Sequence, residues 1–207
     1  MKKLLLLFVV SFSTITFGQD RFEKIDSLLT YLNGNDKFMG SLTIREGENV
    51  VFNKAFGFAD IVKGIKADRL TRYKIGSISK MFTAVMIMQL IEERKLGLQT
   101  KLARFYPEIA NAEKISIYDL LHNRTGILDY VNQDASLHSE LDQLHSKEEM
   151  IKKIAGFKSI FEPGTKYEYS NSNFYILGCI IESVTKKSYA ENLENRIVKK
   201  AKLIDTY

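Results

Sequence analysis

The sequence predicts an α+β fold: a small antiparallel sheet near the N-terminus, followed by a region that is helical to the end. Three observations carry this. Residues 40–57 read as two short strands around one acidic, glycine-containing turn. Two later segments, Met81–Ile91 and Asn173–Val184, are helix-length and strongly apolar. The composition is that of a folded chain: 207 residues, 45% hydrophobic and 27% charged, which excludes a disordered protein. Two prolines and twelve glycines are too few for a fibrous or linker-rich chain, and one cysteine makes neither a disulfide framework nor a cysteine-based zinc site. The length suits one domain of average size or two small ones, and a chain near this size buries roughly 70% of its unfolded surface.

Residues 1–18 stand apart from the fold and read as a secretory signal peptide. Lys2 and Lys3 precede the apolar run Leu4–Val10, which is too short to span a bilayer, and Thr16 and Gly18 are small residues before a cut near Gln19. No cysteine follows the run, which argues against a lipid-modified N-terminus. The mature chain, residues 19–207, is expected to be periplasmic or secreted, with no stable membrane insertion. Removing Lys2 and Lys3 from the 30 basic residues leaves 28 against 25 acidic ones. That balance is too mild to argue for a nucleic-acid partner or an anionic membrane. Arg196, Lys199, Lys200 and Lys202 read as the solvated face of a late helix. Cys179, among apolar neighbours, reads as a buried, inert thiol.

The elements follow in order. Phe22, Ile25, Leu28, Leu29 and Leu32 have helical spacing over 21–33. The two strands come next, then a polar connector over 58–72. Nine of the eleven residues from Met81 to Ile91 are apolar and none is charged, the pattern of a helix buried all round. Gly97 is placed to cap its C-terminus. A loop-rich stretch with Pro107 leads to a short helix over 116–122 and a turn at Gly126. An amphipathic helix is expected over 146–155. Pro163-Gly164 suits the centre of a type II turn. Helices over 173–184 and 189–203 complete the chain, with no repeat or low-complexity tract.

Chemistry is concentrated where the buried helix opens. In Ser77-Ile78-Ser79-Lys80 the i,i+3 spacing puts a hydroxyl and an amine on one helix face, one turn apart. This S-x-x-K pair suits a nucleophilic serine beside a group that takes its proton. A lysine in a first turn opposes the helix dipole, a local rule broken without visible structural gain. Ser183-Val-Thr-Lys186 has the same form but lies late in a helix and reads as structural. Tyr169-Ser170-Asn171 sits between the Pro-Gly turn and the second apolar helix. Tyr169 there suits a general base or relay and Asn171 a substrate or lysine contact; alternatively, Tyr169 is a packed aromatic and Asn171 a helix cap. Tyr31-Leu-Asn33 and Tyr130-Val-Asn132 share the Y-x-N form without that context.

Taken together these strings resemble the serine β-lactamase and penicillin-binding-protein superfamily. The nearest branch is that of class C β-lactamases, D-alanyl-D-alanine carboxypeptidases and esterases. The resemblance runs from about Gly40 to Tyr207, through Phe56-Gly-Phe-Ala-Asp60, Tyr73-Lys-Ile-Gly-Ser-Ile-Ser-Lys-Met-Phe-Thr-Ala84, Lys95-Leu-Gly-Leu-Gln99, Tyr106-Pro-Glu108, Ile115-Ser-Ile-Tyr-Asp-Leu-Leu121 and the segment Phe161–Gly178. It implies a β-lactamase-like fold with a helical subdomain. It implies that Ser77 forms an acyl-enzyme, that Lys80 and Tyr169 manage its protons with either as the base, and that Asn171 binds substrate or orients Lys80. Tyr-x-Asn in place of Ser-Asp-Asn points away from class A enzymes.

Two departures stand out. Asn123 occupies the place of the family's histidine in Leu120-Leu-His-Asn-Arg-Thr-Gly126, and His122 precedes it. Arg124-Thr-Gly126 imitates the family's third box, Lys/His-Thr-Gly, but precedes Tyr169, and no such box follows Asn171. In the family that box lies on a later strand, which supplies an oxyanion-hole N–H and completes the sheet. Two strands are marginal by themselves, so the sheet is expected to be incomplete and the chain truncated at its C-terminus. The leading expectation is an exported serine hydrolase acting on amides or esters: a β-lactam, a cell-wall D-alanyl peptide or a small ester. It needs no metal and no cofactor; His122, His138 and His145 lack zinc-ligand spacing. The alternative is a non-catalytic or degenerate protein that binds peptidoglycan peptides or is inactive as a fragment.

Overall fold

The structure, a computed structural model, describes residues 21–133 and 145–206. The proposed signal peptide therefore lies outside the described residues. The chain divides into two units, Met1–Tyr73 and Lys74–Tyr207.

In the first unit, helix α1 (Glu23–Gly34) precedes the antiparallel hairpin of β1 (Gly40–Glu46) and β2 (Asn49–Phe56). Gly47 turns the hairpin at φ 57°, a conformation costly for any side chain. Ladder pairs run from Gly40 opposite Phe56 to Glu46 opposite Asn49, with a register shift between Ile44 and Arg45. Phe22 tilts against Phe52 at 5.7 Å between ring centres, and Lys54 bonds Asp26 at 2.6 Å, so α1 lies along β2. The polar connector expected over 58–72 contains a second small hairpin, β3 (Phe58–Asp60) with β4 (Ile65–Lys66). Its turn is closed by Gly64 at φ 66° and by the Lys63 N–H donating to Asp60 Oδ1 at 3.0 Å. Such a tight turn needs few apolar residues, so no alternation announced it.

The second unit is helical among the described residues. Helix α2 (Ser79–Glu92) follows one 3₁₀ turn at Gly76–Ile78. After it come α3 (Ile117–Leu121), α4 (Tyr130–Gln133), α5 (Lys147–Ala155), α6 (Asn171–Thr185), α7 (Tyr189–Leu193), a π-helical stretch over Glu194–Val198, and α8 (Lys199–Ala201). The core lies between α2, α3 and α6, where Met86, Ile87, Leu90, Leu120, Ile176, Leu177 and Ile180 are fully buried. Serine capping boxes start α3, α5 and α7, at Ser116, Ser146 and Ser188. No described helix is long and apolar enough to cross a membrane.

Three expectations are corrected. Helix α2 is buried along one stripe, Thr83, Met86, Ile87 and Leu90, while Met81, Val85 and Met88 stay about half exposed. Composition alone cannot choose which face of an all-apolar helix meets the core. The left-handed position ending α2 is held by Arg94 (φ 57°), not Gly97; the Lys95 and Arg94 N–H groups donate to the Leu90 and Ile91 carbonyls, a Schellman closure. The last expected helix is interrupted by the π stretch, and Arg196 leaves the solvated basic face. Its guanidinium bonds both Glu93 oxygens, at 2.6 and 3.2 Å, and its side chain is 16% exposed.

Candidate active site

The 3₁₀ turn begins at Gly76, whose φ of 53° suits glycine, and carries Ser77 to the surface two residues before α2. Lys80 then falls in the first turn of α2, half-buried. Its Nζ donates to Ser77 Oγ at 3.0 Å, the contact that the i,i+3 spacing implies. Tyr169 and Asn171 come from the other end of the chain. The Pro-Gly turn closes with the Thr165 N–H donating to Glu162 O at 3.1 Å and Gly164 at φ 82°. An extended segment then enters α6, which starts at Asn171, two residues before the expected position. Tyr169 Oη lies 2.9 Å from Ser77 Oγ and donates to Asn171 Oδ1 at 3.2 Å. Lys80 Nζ donates to Asn171 Oδ1 at 2.8 Å. The four residues singled out in the sequence thus close one ring of hydrogen bonds, with the serine hydroxyl facing solvent. Asn171 is the first residue of α6 rather than its cap, and Tyr169 is 39% exposed rather than packed.

Burial by itself would raise the Tyr169 phenol. Hydrogen bonding from Lys80 and Ser77 outweighs it and holds the group below its ordinary value. A cavity of about 500 Å³ is lined by Lys80 and Asn171 together with, among others, Thr83, Tyr130, Phe174 and Tyr175. Ser77 and Tyr169 do not line it.

The site is held from behind by a loop whose role the sequence left unread. Asn123, in the left-handed region at φ 53° and buried, accepts the Ser170 N–H at 3.3 Å and Asn173 Nδ2 at 2.9 Å through its Oδ1. Its carbonyl accepts the Glu168 N–H at 3.0 Å. Thr125 Oγ1 donates to Asn173 Oδ1 at 2.8 Å. Both flanks of Tyr169 are therefore tied to this loop. Arg124-Thr-Gly126 faces the Pro-Gly turn: the Arg124 guanidinium donates to the Gly164 carbonyl, and the Gly164 N–H returns to Arg124 O at 2.7 Å. His122 stacks on Tyr118 at 4.0 Å between ring centres, away from Asn123's network. His145 lines the cavity, and His138 lies outside the described residues. No group of three metal-ligating side chains occurs among the described residues.

Sequence reasoning missed Asp129. It is buried, and its carboxylate accepts both the side-chain amide and the backbone N–H of Asn171, each at 3.1 Å. Its only local signal was an acid set among apolar residues after Gly126, because its partner lies 42 positions away.

The chain as a whole is similar to several known proteins. A family model described as Beta-lactamase matches residues 35–207. Protein flp of Staphylococcus aureus strain COL is 31% identical over 186 residues, covering 87% of this chain and 37% of that protein. The teichoic acid D-alanine hydrolase of Staphylococcus aureus is 31% identical over 188 residues, covering 90% of this chain and 44% of that protein. The crystal structure of FmtA from Staphylococcus aureus superposes with a TM-score of 0.71 at 28% identity, over 89% of this chain and 49% of that one. The chain thus spans less than half the length of these curated relatives.

Proposed function

The chain belongs to the beta-lactamase family, has that family's fold with only two small two-stranded sheets among its described residues, and from that premise we propose that it is an exported serine hydrolase working through a Ser77 acyl-enzyme. The observation that supports the reading is the closed ring of Ser77, Lys80, Tyr169 and Asn171. In the acylation step Ser77 Oγ bonds to an acyl carbonyl carbon. Its proton passes to the Lys80–Tyr169 pair, both members of which bond that oxygen. The C–N or C–O bond of the substrate breaks, and the same pair returns the proton to the departing amine or alcohol. Water then attacks the ester, giving its proton to the pair, and Ser77 recovers the proton as the acid leaves. Asn171 Oδ1 is the fixed acceptor that orients the Lys80 amine and the Tyr169 hydroxyl.

The substrate class is an amide or ester of small acyl groups, with a D-alanyl ester or peptide favoured over a β-lactam by the named activity of the teichoic acid D-alanine hydrolase. Export rests on Lys2, Lys3 and the apolar run Leu4–Val10, with cleavage near Gln19. A second reading is a site that binds acyl peptides without turning them over. Intact mass of the purified protein after exposure to a D-alanyl ester, an activated ester and a penicillin decides between them. The expected result is an adduct of acyl mass that is absent in Ser77→Ala. A folded protein that takes no adduct from any probe overturns the hydrolase reading. An adduct kept in Tyr169→Phe but lost in Lys80→Ala assigns the base to Lys80.

A further inference from the structure

The ring around Ser77 closes only if Asn171 presents its amide oxygen, not its nitrogen, to Lys80. A primary amide has almost the same shape either way round, so its surroundings must choose. The choice is made on the side away from Lys80. Asp129, 7% exposed, accepts from Asn171 Nδ2 with Oδ1 at 3.1 Å and Oδ2 at 3.1 Å. Its Oδ1 also accepts the backbone N–H of Asn171 at 3.1 Å and of Val131 at 3.3 Å. Ser172 Oγ donates to Leu128 O at 2.6 Å and accepts the Tyr130 N–H at 3.1 Å, so the segment carrying Asp129 is fixed along the start of α6. Flipping the amide would set Oδ1 against a carboxylate and Nδ2 against the N–H donors of Lys80. Favourable contacts on both sides would become repulsive ones.

We propose that Asp129 is a positioning residue of the acyl-transfer site: by locking the Asn171 amide in one orientation, it fixes the acceptor that faces both Lys80 and Tyr169. The role in acyl transfer rests on the Ser77 acyl-enzyme reading; the locking itself is testable without it. The charged and bonding groups acting on Tyr169 are Lys80 from α2, Ser77 from the turn before it, and Asp129 from the loop before α4. A locked Oδ1 accepts from the phenol and so favours its protonated form, and the Asp129 charge acts in the same direction. Freeing the amide and removing the charge should both make the phenol easier to ionise.

Asp129→Asn is isosteric and leaves an oxygen to accept the Asn171 N–H. With tyrosine labelled at Cζ, and Tyr169 assigned by its loss in Tyr169→Phe, the Tyr169 titration midpoint is expected to fall by roughly 0.5–1 unit in Asp129→Asn. The acylation rate of Ser77 is expected to fall about 10- to 100-fold, the range of one charge-assisted hydrogen bond, with probe affinity changed less than about twofold. In an Asn171→Ala background the same substitution should cost less than about twofold, since nothing is left to position. An unchanged Tyr169 titration overturns the proposal. So does an equal acylation loss in both backgrounds, which would mean that Asp129 only supports the fold. If the wild-type protein is not acylated at all, the hydrolase reading fails, and the Tyr169 titration in the Asn171→Ala background still tests the lock: an Asp129→Asn shift as large there as in the wild-type background comes from the charge alone and overturns it. Should Asp129→Asn not fold, Asp129→Ser, which keeps a hydroxyl for the Asn171 N–H, gives the same readings.

Discussion

Replacing Gly126 by alanine tests whether the loop behind the site is as tightly specified as its contacts imply. A methyl group built at Gly126 would sit 2.2 Å from the Phe161 carbonyl oxygen and 2.7 Å from Ser159 Oγ. The nearer atom is backbone and cannot rotate away. The φ of 74° adds a cost of about 1–2 kcal/mol for any L side chain. Relieving the overlap requires the two loops to separate, at about 1–3 kcal/mol. Their contact includes the Ile160 N–H donating to Gly126 O at 3.0 Å. Alanine returns about 0.4–1 kcal/mol by restricting the unfolded chain. The net expectation is a loss of about 1–4.5 kcal/mol, read in urea as a midpoint lower by about 0.5–2 M. Gly97→Ala is the control: its added methyl would meet only Thr100 Oγ1 at 3.6 Å, so its midpoint should hardly move. A Gly126→Ala loss below about 1 kcal/mol would refute the argument, because it would show that the 122–126 loop yields freely to the Pro-Gly turn. Since Phe161 opens the turn that delivers Tyr169, the same variant should acylate more slowly than its folded fraction explains.

Two further predictions concern pH and reactivity. The Arg196 and Lys95 side chains beside Glu93 hold its carboxyl down at about 2, so the sign is that of a depressed acid. The pair's contribution is fully present above about pH 4.5 and is lost as pH falls toward 2. Glu93 is 38% exposed, so screening limits the loss in Glu93→Gln to about 0.5–1 kcal/mol at pH 7; urea melts of the two proteins should converge at low pH, and a pH-independent difference would assign the effect to packing. Burial pushes the Cys179 thiol up to about 11, which leaves little thiolate at neutral pH. Iodoacetamide should therefore label Cys179 at pH 8 only after unfolding in urea, and rapid labelling of the native protein would contradict its placement.

The resemblance, the two-stranded hairpin and the Ser77–Lys80 pair were legible in the sequence because each depends on residues close together in the chain. The 3.6-residue period sets Ser77 beside Lys80 wherever that turn is helical, and Gly47 marks its hairpin by local geometry. Tyr169 and Asn171 were legible only through their setting between a Pro-Gly turn and an apolar helix, since Y-x-N occurs elsewhere in the chain. Their distance to Ser77, 92 positions away for Tyr169, was not.

What the sequence alone determined was therefore the first hairpin and the longer helices, though not the small β3–β4 hairpin or the π stretch, and which side chains meet within one turn, because backbone hydrogen bonding repeats locally. Packing decided the rest. It chose which stripe of the all-apolar α2 is buried, brought Arg196 onto Glu93 across 103 positions, and set Asp129 against Asn171. These contacts rest on complementary shape and charge between distant segments, which no local spacing encodes. Asn123 shows the difference at one residue: as a letter it is a departure from a family string, and only the folded loop shows it bonding both Ser170 and Asn173.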